Sequence, residues 1–149
     1  MNIGSMALRL LLAAVLGGII GIERETSRKP AGLRTLVLIC VSSAMMMITA
    51  ELFGTGAESR QEIMRIAAGV ITGVGFLGAG AIIQARGTIH GLTTASVIWA
   101  VAGLGLAVGA GFYLISTIFT VLVVLILIVL RKVEQILDKN YDKNHPSAR

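Results

Sequence analysis

The chain has 149 residues, is 55% hydrophobic and carries only 14% charged residues, against about 25% in soluble domains. No Asp or Glu occurs between Glu62 and Glu134, and no charge of either sign occurs across the 44 residues Gly87–Leu130. That run holds two membrane crossings of roughly 20 residues each; it excludes an ordinary soluble domain, and the net charge of +5 reads as membrane orientation rather than nucleic-acid binding.

The pattern predicts an all-α polytopic membrane domain over residues 1–130, with five helical spans at about 6–22, 36–53, 66–85, 92–108 and 112–130. A short basic tail, 131–149, follows. The first span has a single Arg ahead of its apolar run and no persuasive small-residue cleavage site before Glu23, so it reads as a span rather than a signal peptide. Arg9 lies near its outer end, within snorkelling reach of the interface. The first loop brings Arg24, Arg28, Lys29 and Arg34. The loop after span three brings Arg86, and the tail Arg131, Lys132, Lys139, Lys143 and Arg149. These ten share one face of a five-span chain; Arg9, Arg60 and Arg65 share the other. By the positive-inside rule the N-terminus is outside and the C-terminus cytoplasmic. Phe53, Phe112 and Tyr113 then fall at the outer interface, and Trp99 falls mid-span as a packing residue. Cys40 lies in an apolar run and reads as a small buried hydrophobe.

Span three contains Gly73-Val74-Gly75-Phe76-Leu77-Gly78-Ala79-Gly80, which holds G-x-G-x-x-G. A dinucleotide fingerprint needs a preceding strand and an acid about 20 residues on. Here the glycines sit inside an apolar span, with Ile98 at that distance. On a helical wheel Ala68, Thr72, Gly75 and Ala79 form one small-residue stripe and Gly69, Gly73 and Gly80 a second. Val70, Val74 and Leu77 lie opposite, facing lipid. In span four Thr93, Ser96, Ala100, Gly103 and Ala107 form a similar stripe. Together with Gly78, these positions are expected to serve close helix packing, with a carbonyl-lined ion path as the alternative.

Gly32-Leu33-Arg34-Thr35 and Gly91-Leu92-Thr93-Thr94 are both Gly-Leu-x-Thr, 59 residues apart, and each opens a span at the basic face. The same offset pairs Gly21 with Gly80, a weak sign of a repeated hairpin. Arg34 sits in the first turn of a helix, where the dipole disfavours a cation. Two readings stay open. Either Glu23 or Glu25 clasps Arg34, or Arg28, Gly32, Arg34, Thr35, Gly91, Thr93 and Thr94 belong to an anion or lipid site at helix N-termini. His90 has no second His or Cys near it, so no metal site is expected. The tail is expected to start as a helix carrying Val133, Ile136 and Leu137 on one face and to lose order beyond Asn140.

The segments "GIERETSRKPAGLRT" (Gly21–Thr35), "RIAAGVITGVGFLGAGAII" (Arg65–Ile83) and "GLTTASVIWAVAGLG" (Gly91–Gly105) closely resemble the MgtC/SapB family of bacterial inner-membrane proteins, over about residues 7–130. The resemblance implies a five-span plasma-membrane protein with no enzymatic activity and no cofactor. Its best-known branch is linked to adaptation to low magnesium and to survival inside host cells, and is viewed as a regulator of other membrane machinery, including the F-type ATP synthase. That branch carries a soluble C-terminal domain; here 19 residues follow Leu130, and in this the chain resembles the shorter SapB-like members.

Three functions follow for weighing. The first is a non-enzymatic regulator, with the bilayer, a second copy (a dimer) or another membrane protein as partner. The second is a transporter or channel for Mg²⁺ or another cation. The third, an intramembrane enzyme, lacks support because Ser96 has no His or Lys at helical spacing. No acid lies at mid-membrane, which argues against a carboxylate-based pump.

Overall fold

The computed structural model describes residues 2–54, 59–85 and 88–144. Five helices carry the fold: α1 (Ile3–Thr26), α2 (Leu33–Phe53), α3 (Ser59–Gly80), α4 (Leu92–Gly109) and α5 (Tyr113–Asn144). All five are long and apolar enough to cross a membrane. The chain is therefore the all-α, multi-pass membrane protein that its hydrophobic pattern predicts.

The helix bounds differ from expectation in span three and in the tail. Span three starts earlier and stops at Gly80, not residue 85. The apolar run past Gly80 instead becomes β1 (Ile83–Ala85), paired antiparallel with β2 (Thr88–His90) in the register Ile83 to His90. β-branched Ile83, Thr88 and Ile89 suit this strand pair, and hydropathy alone does not separate an apolar strand from the end of a helix. At the other end of the chain α5 continues without a break from Tyr113 to Asn144, four residues past Asn140; residues 145–149 lie outside the described residues.

The packing is centred on α2 and α4. More than half of the α4 span is buried, against 11% for α3 and for α5. The close approach depends on glycines. A Cβ on Gly17 of α1 would stand 2.7 Å from Cys40 Cβ, one on Gly105 of α4 would stand 2.2 Å from the Cys40 carbonyl oxygen, and one on Gly109 would stand 2.6 Å from the Ala44 carbonyl oxygen. Helices can approach this closely only where no side chain intervenes. Ala13, Leu16, Ile20, Leu36, Cys40, Val101, Ala102 and Val108 complete the core, and Cys40 is fully buried, the small hydrophobe it was expected to be.

The expected packing stripes lie elsewhere. A Cβ at Gly69, Gly73, Gly75, Gly80 or Gly103 would meet nothing within 4 Å, and Gly78 alone of the α3 glycines touches a neighbour, Ala95. Thr72, Ala79 and Ser96 are exposed and Ala100 is half-buried. The face expected to meet lipid is the inward one: Val74 is buried and Val70 packs against the core, while Leu77 is exposed. A helical wheel finds both faces of α3 but does not tell which one the rest of the chain occupies. Trp99, expected to pack, is 55% exposed.

At one end Arg9 ties the fold together. Its guanidinium pairs with Glu51 of α2 at 2.7 Å, donates from Nε to Tyr113 Oη at 3.2 Å, and donates to the Gly109 carbonyl. Arg9 thus joins α1, α2 and the α4–α5 junction instead of snorkelling. That junction is a Schellman turn. Gly111, at φ +84°, donates to Val108 O, and Phe112 donates to Ala107 O.

Candidate functional site

The basic end of the bundle is built where the C-terminus of α1 meets the N-terminus of α4 and the distal part of α5. α1 closes in a second Schellman turn: Arg28 N–H donates to Glu25 O and Lys29 N–H to Arg24 O. Here the left-handed position, usually glycine, is held by Arg28 at φ +53°. The turn places Arg28 and Lys29 beside the last turn of α1 and its Arg24.

Arg24 is the unexpected residue. It is 3% exposed, and its guanidinium donates to Thr94 Oγ1, also buried, at 2.8 Å. Arg24 Nε is buried and has no hydrogen-bond partner. A buried N–H without an acceptor costs about 1–3 kcal/mol, more when charged. Next to it, Glu23 Oε1 accepts from Ser27 Oγ at 2.8 Å, and Ser27 Oγ accepts from Arg131 of α5 at 2.6 Å. Glu23 Oε2 is buried and likewise unpartnered.

Glu23, Arg24, Thr94 and Arg131 line a cleft of about 480 Å³ between α1, α4 and α5. Four cations, Arg24, Arg28, Lys29 and Arg131, face two carboxylates, Glu23 and Glu134; His90, Gly91, Thr93 and Thr94 form the wall at the start of α4. The N-terminus of α4 adds its unpaired N–H groups and positive dipole end to the same wall. The lining therefore carries four positive groups against two negative ones, beside the positive end of the α4 dipole.

Of the residues expected at the basic face, Glu23, Arg28, Gly91, Thr93 and Thr94 converge on this cleft. Glu25, Gly32, Arg34 and Thr35 do not. The Arg34 clasp is not made: Arg34 is exposed, and among the described residues the ion pair present is Arg9–Glu51. Glu25 instead spans the loop and accepts from the Leu33 N–H at 3.0 Å, capping α2. A carboxylate at a helix N-terminus meets both an unpaired donor and the dipole, so α2 is a better partner for it than the solvated Arg34. Gly32 makes room for that carboxylate, since a Cβ there would stand 1.8 Å from Glu25 Oε2. The two Gly-Leu-x-Thr starts are also not equivalent. Gly32 is extended, at φ −99°, and Gly91 is left-handed, at φ +92°. Gly21 packs on Leu33, whereas its counterpart Gly80 touches nothing. Arg86 lies outside the described residues.

Arg24, Ser27 and Arg131 were not among the residues expected here; Arg24 and Arg131 were expected only as markers of orientation. A signal for Arg24 existed. It follows Gly17, Ile20 and Gly21 by seven, four and three residues, which puts it on the buried face of α1.

The sequence matches the MgtC family over residues 10–136. It is 46% identical to Protein SapB of Bacillus subtilis over 111 residues, which is 71% of this chain and 48% of that protein. The chain belongs to the MgtC family. This MgtC-family protein is also 42% identical over 139 residues to a protein of Escherichia coli named "Putative magnesium transporter YhiD", covering 90% of this chain and 65% of YhiD. It is 35% identical to Protein MgtC of Brucella abortus over 126 residues, 85% of this chain and 51% of that protein. The chain spans about half to two thirds of the length of these curated relatives. No solved structure matches it.

Proposed function

We propose that this protein is a non-enzymatic plasma-membrane regulator whose working site is the cationic cleft between α1, α4 and α5, and that the cleft binds a phosphate-bearing anion. The observation that carries the reading is Arg24: a guanidinium 3% exposed, with an unpaired Nε, lining a cleft. An arginine buried at this cost and left one acceptor short is poised for an anion. The ten-to-three bias of Lys and Arg supports placing this end in the cytoplasm, so a site here would sample cytoplasmic phosphates or the inner-leaflet headgroups. Bound anion would draw Arg131 from Ser27 and so bias the position of α5, whose distal residues 131–137 are all exposed.

The name of one relative, "Putative magnesium transporter YhiD", favours a second reading, cation transport. Mg²⁺ requires oxygen ligands and commonly carboxylates. The carboxylates at the cleft, Glu23 and Glu134, stand among four cations, which repel a divalent ion. Both readings are testable in one preparation. Reconstituted protein should show no Mg²⁺ flux down a gradient, and purified protein should bind inorganic phosphate with an affinity lost in Arg24→Gln. Flux that depends on the protein, with no phosphate binding, would reverse the ranking.

A further inference from the structure

Resting on the reading of the cleft as a phosphate site, we infer that its ligand is a phosphate ester carrying a primary amine, of the phosphoethanolamine type. Among the described residues two buried side-chain atoms are left unpartnered, and they are of opposite kind: Arg24 Nε, a donor, and Glu23 Oε2, an acceptor. Both residues line the same cleft. A bare phosphate dianion answers Arg24 and worsens the position of Glu23, whose carboxylate would then face added negative charge. A free cation answers Glu23 and is repelled by the four basic groups. A molecule that carries phosphate and ammonium together satisfies both at once, and its ammonium can sit on the Glu23 carboxylate, which is fixed in place by Ser27 and, through Ser27, by Arg131.

Beside the cleft runs a second one of about 530 Å³, which shares Glu23 and Arg131 with the first. Ile19, Ile22, Val124 and Ile128 form its apolar wall, with Thr26, Ser27, Lys132 and Gln135 as its polar part. A polar cationic mouth beside an apolar track between α1 and α5 has the shape of a headgroup site with an acyl chain alongside. The same headgroup chemistry can arrive as a lipid or as a free phosphoamine.

The experiment is calorimetric titration of the purified full chain with O-phosphoethanolamine, phosphocholine and inorganic phosphate. Phosphocholine has the same phosphate and positive charge but no N–H to donate. We expect phosphoethanolamine to bind about tenfold more tightly than phosphocholine, the weight of one hydrogen bond between charged groups. Glu23→Gln should remove that preference while phosphate binding remains. Equal affinity for the two esters, or a preference that survives Glu23→Gln, would overturn the inference and leave the phosphate reading standing. Failure of all three probes to bind would sink both. The source is read in parallel by native mass spectrometry after detergent exchange from mixed bilayers. Selective retention of phosphatidylethanolamine over phosphatidylcholine names the lipid; equal retention with soluble discrimination names a free phosphoamine.

Discussion

Replacing Gly105 by Ala, compared with the same change at Gly75, separates glycines that hold this bundle together from glycines that do not. At Gly105 the new Cβ would lie 2.2 Å from the Cys40 carbonyl oxygen, 2.8 Å from Ser43 Cβ and 3.0 Å from the Cys40 carbonyl carbon. Ordinary contact begins near 3.5 Å, so α2 and α4 must separate by about 1 Å. The atoms met are mostly backbone, which cannot rotate away. Overpacking of this kind typically costs about 1–3 kcal/mol, and with two buried helices displaced together the upper end is expected. The gain in helix propensity on leaving glycine returns about 1 kcal/mol. The net loss is then about 2 kcal/mol. At Gly75 the Cβ meets nothing within 4 Å, so only the propensity gain remains and Gly75→Ala should be neutral or slightly stabilising for the fold. Cys40 supplies the assay, because it is the one cysteine and is fully buried at the contact itself. Thermal unfolding in detergent with a thiol-reactive dye should show Gly105→Ala melting several degrees below wild type and Gly75→Ala at or above it. Equal melting of Gly105→Ala and wild type, or a large loss at Gly75, would refute this packing scheme.

The other predictions concern the two ends of the bundle. Arg9→Ala and Glu51→Ala should each destabilise by about 2 kcal/mol, since each strands a charge-assisted hydrogen bond; the double variant should cost clearly less than the sum, and simple additivity in the same dye assay would exclude the pair. Arg28→Gly should raise stability by about 1 kcal/mol, by relieving the left-handed φ of +53°, while weakening phosphate binding; a drop in melting temperature would show that Arg28 is held by contacts stronger than its strain. Glu25→Ala should cost about 1 kcal/mol through loss of the α2 cap and leave phosphate affinity unchanged, because Glu25 lies off the cleft; a parallel loss of binding would place it in the site.

Much of the architecture was legible because the bilayer leaves few options: an apolar run of about 20 residues satisfies its own backbone as a helix, and five such runs were readable from Met6 to Leu130. What hydropathy does not record is which face of a helix its neighbours cover. α3 shows this. Its glycines and its valines each make a plausible interface, and only the position of α2 and α4 selects Val70 and Val74. The decisive glycines do carry a local signal, since Gly17 with Gly21 and Gly105 with Gly109 are each G-x-x-x-G; what the motif does not name is the partner, Cys40 and Ala44, far away in sequence. At the basic end Arg24 and Arg131 are 107 positions apart and were countable as charges, yet their convergence depends on the α1–α4–α5 geometry. Glu25 illustrates the remaining difficulty. The sequence offers it two partners across one loop, Arg34 and the α2 N-terminus, and the choice turns on which one is already solvated.

The central claim, that the cleft between α1, α4 and α5 receives a phosphate group on the buried Arg24, is tested most directly by titrating inorganic phosphate into purified wild-type protein and into Arg24→Gln and Arg34→Gln variants of matched melting temperature. Saturable binding in wild type and Arg34→Gln, lost in Arg24→Gln, is the predicted result. Binding that is lost with Arg34 and survives the loss of Arg24 would contradict it.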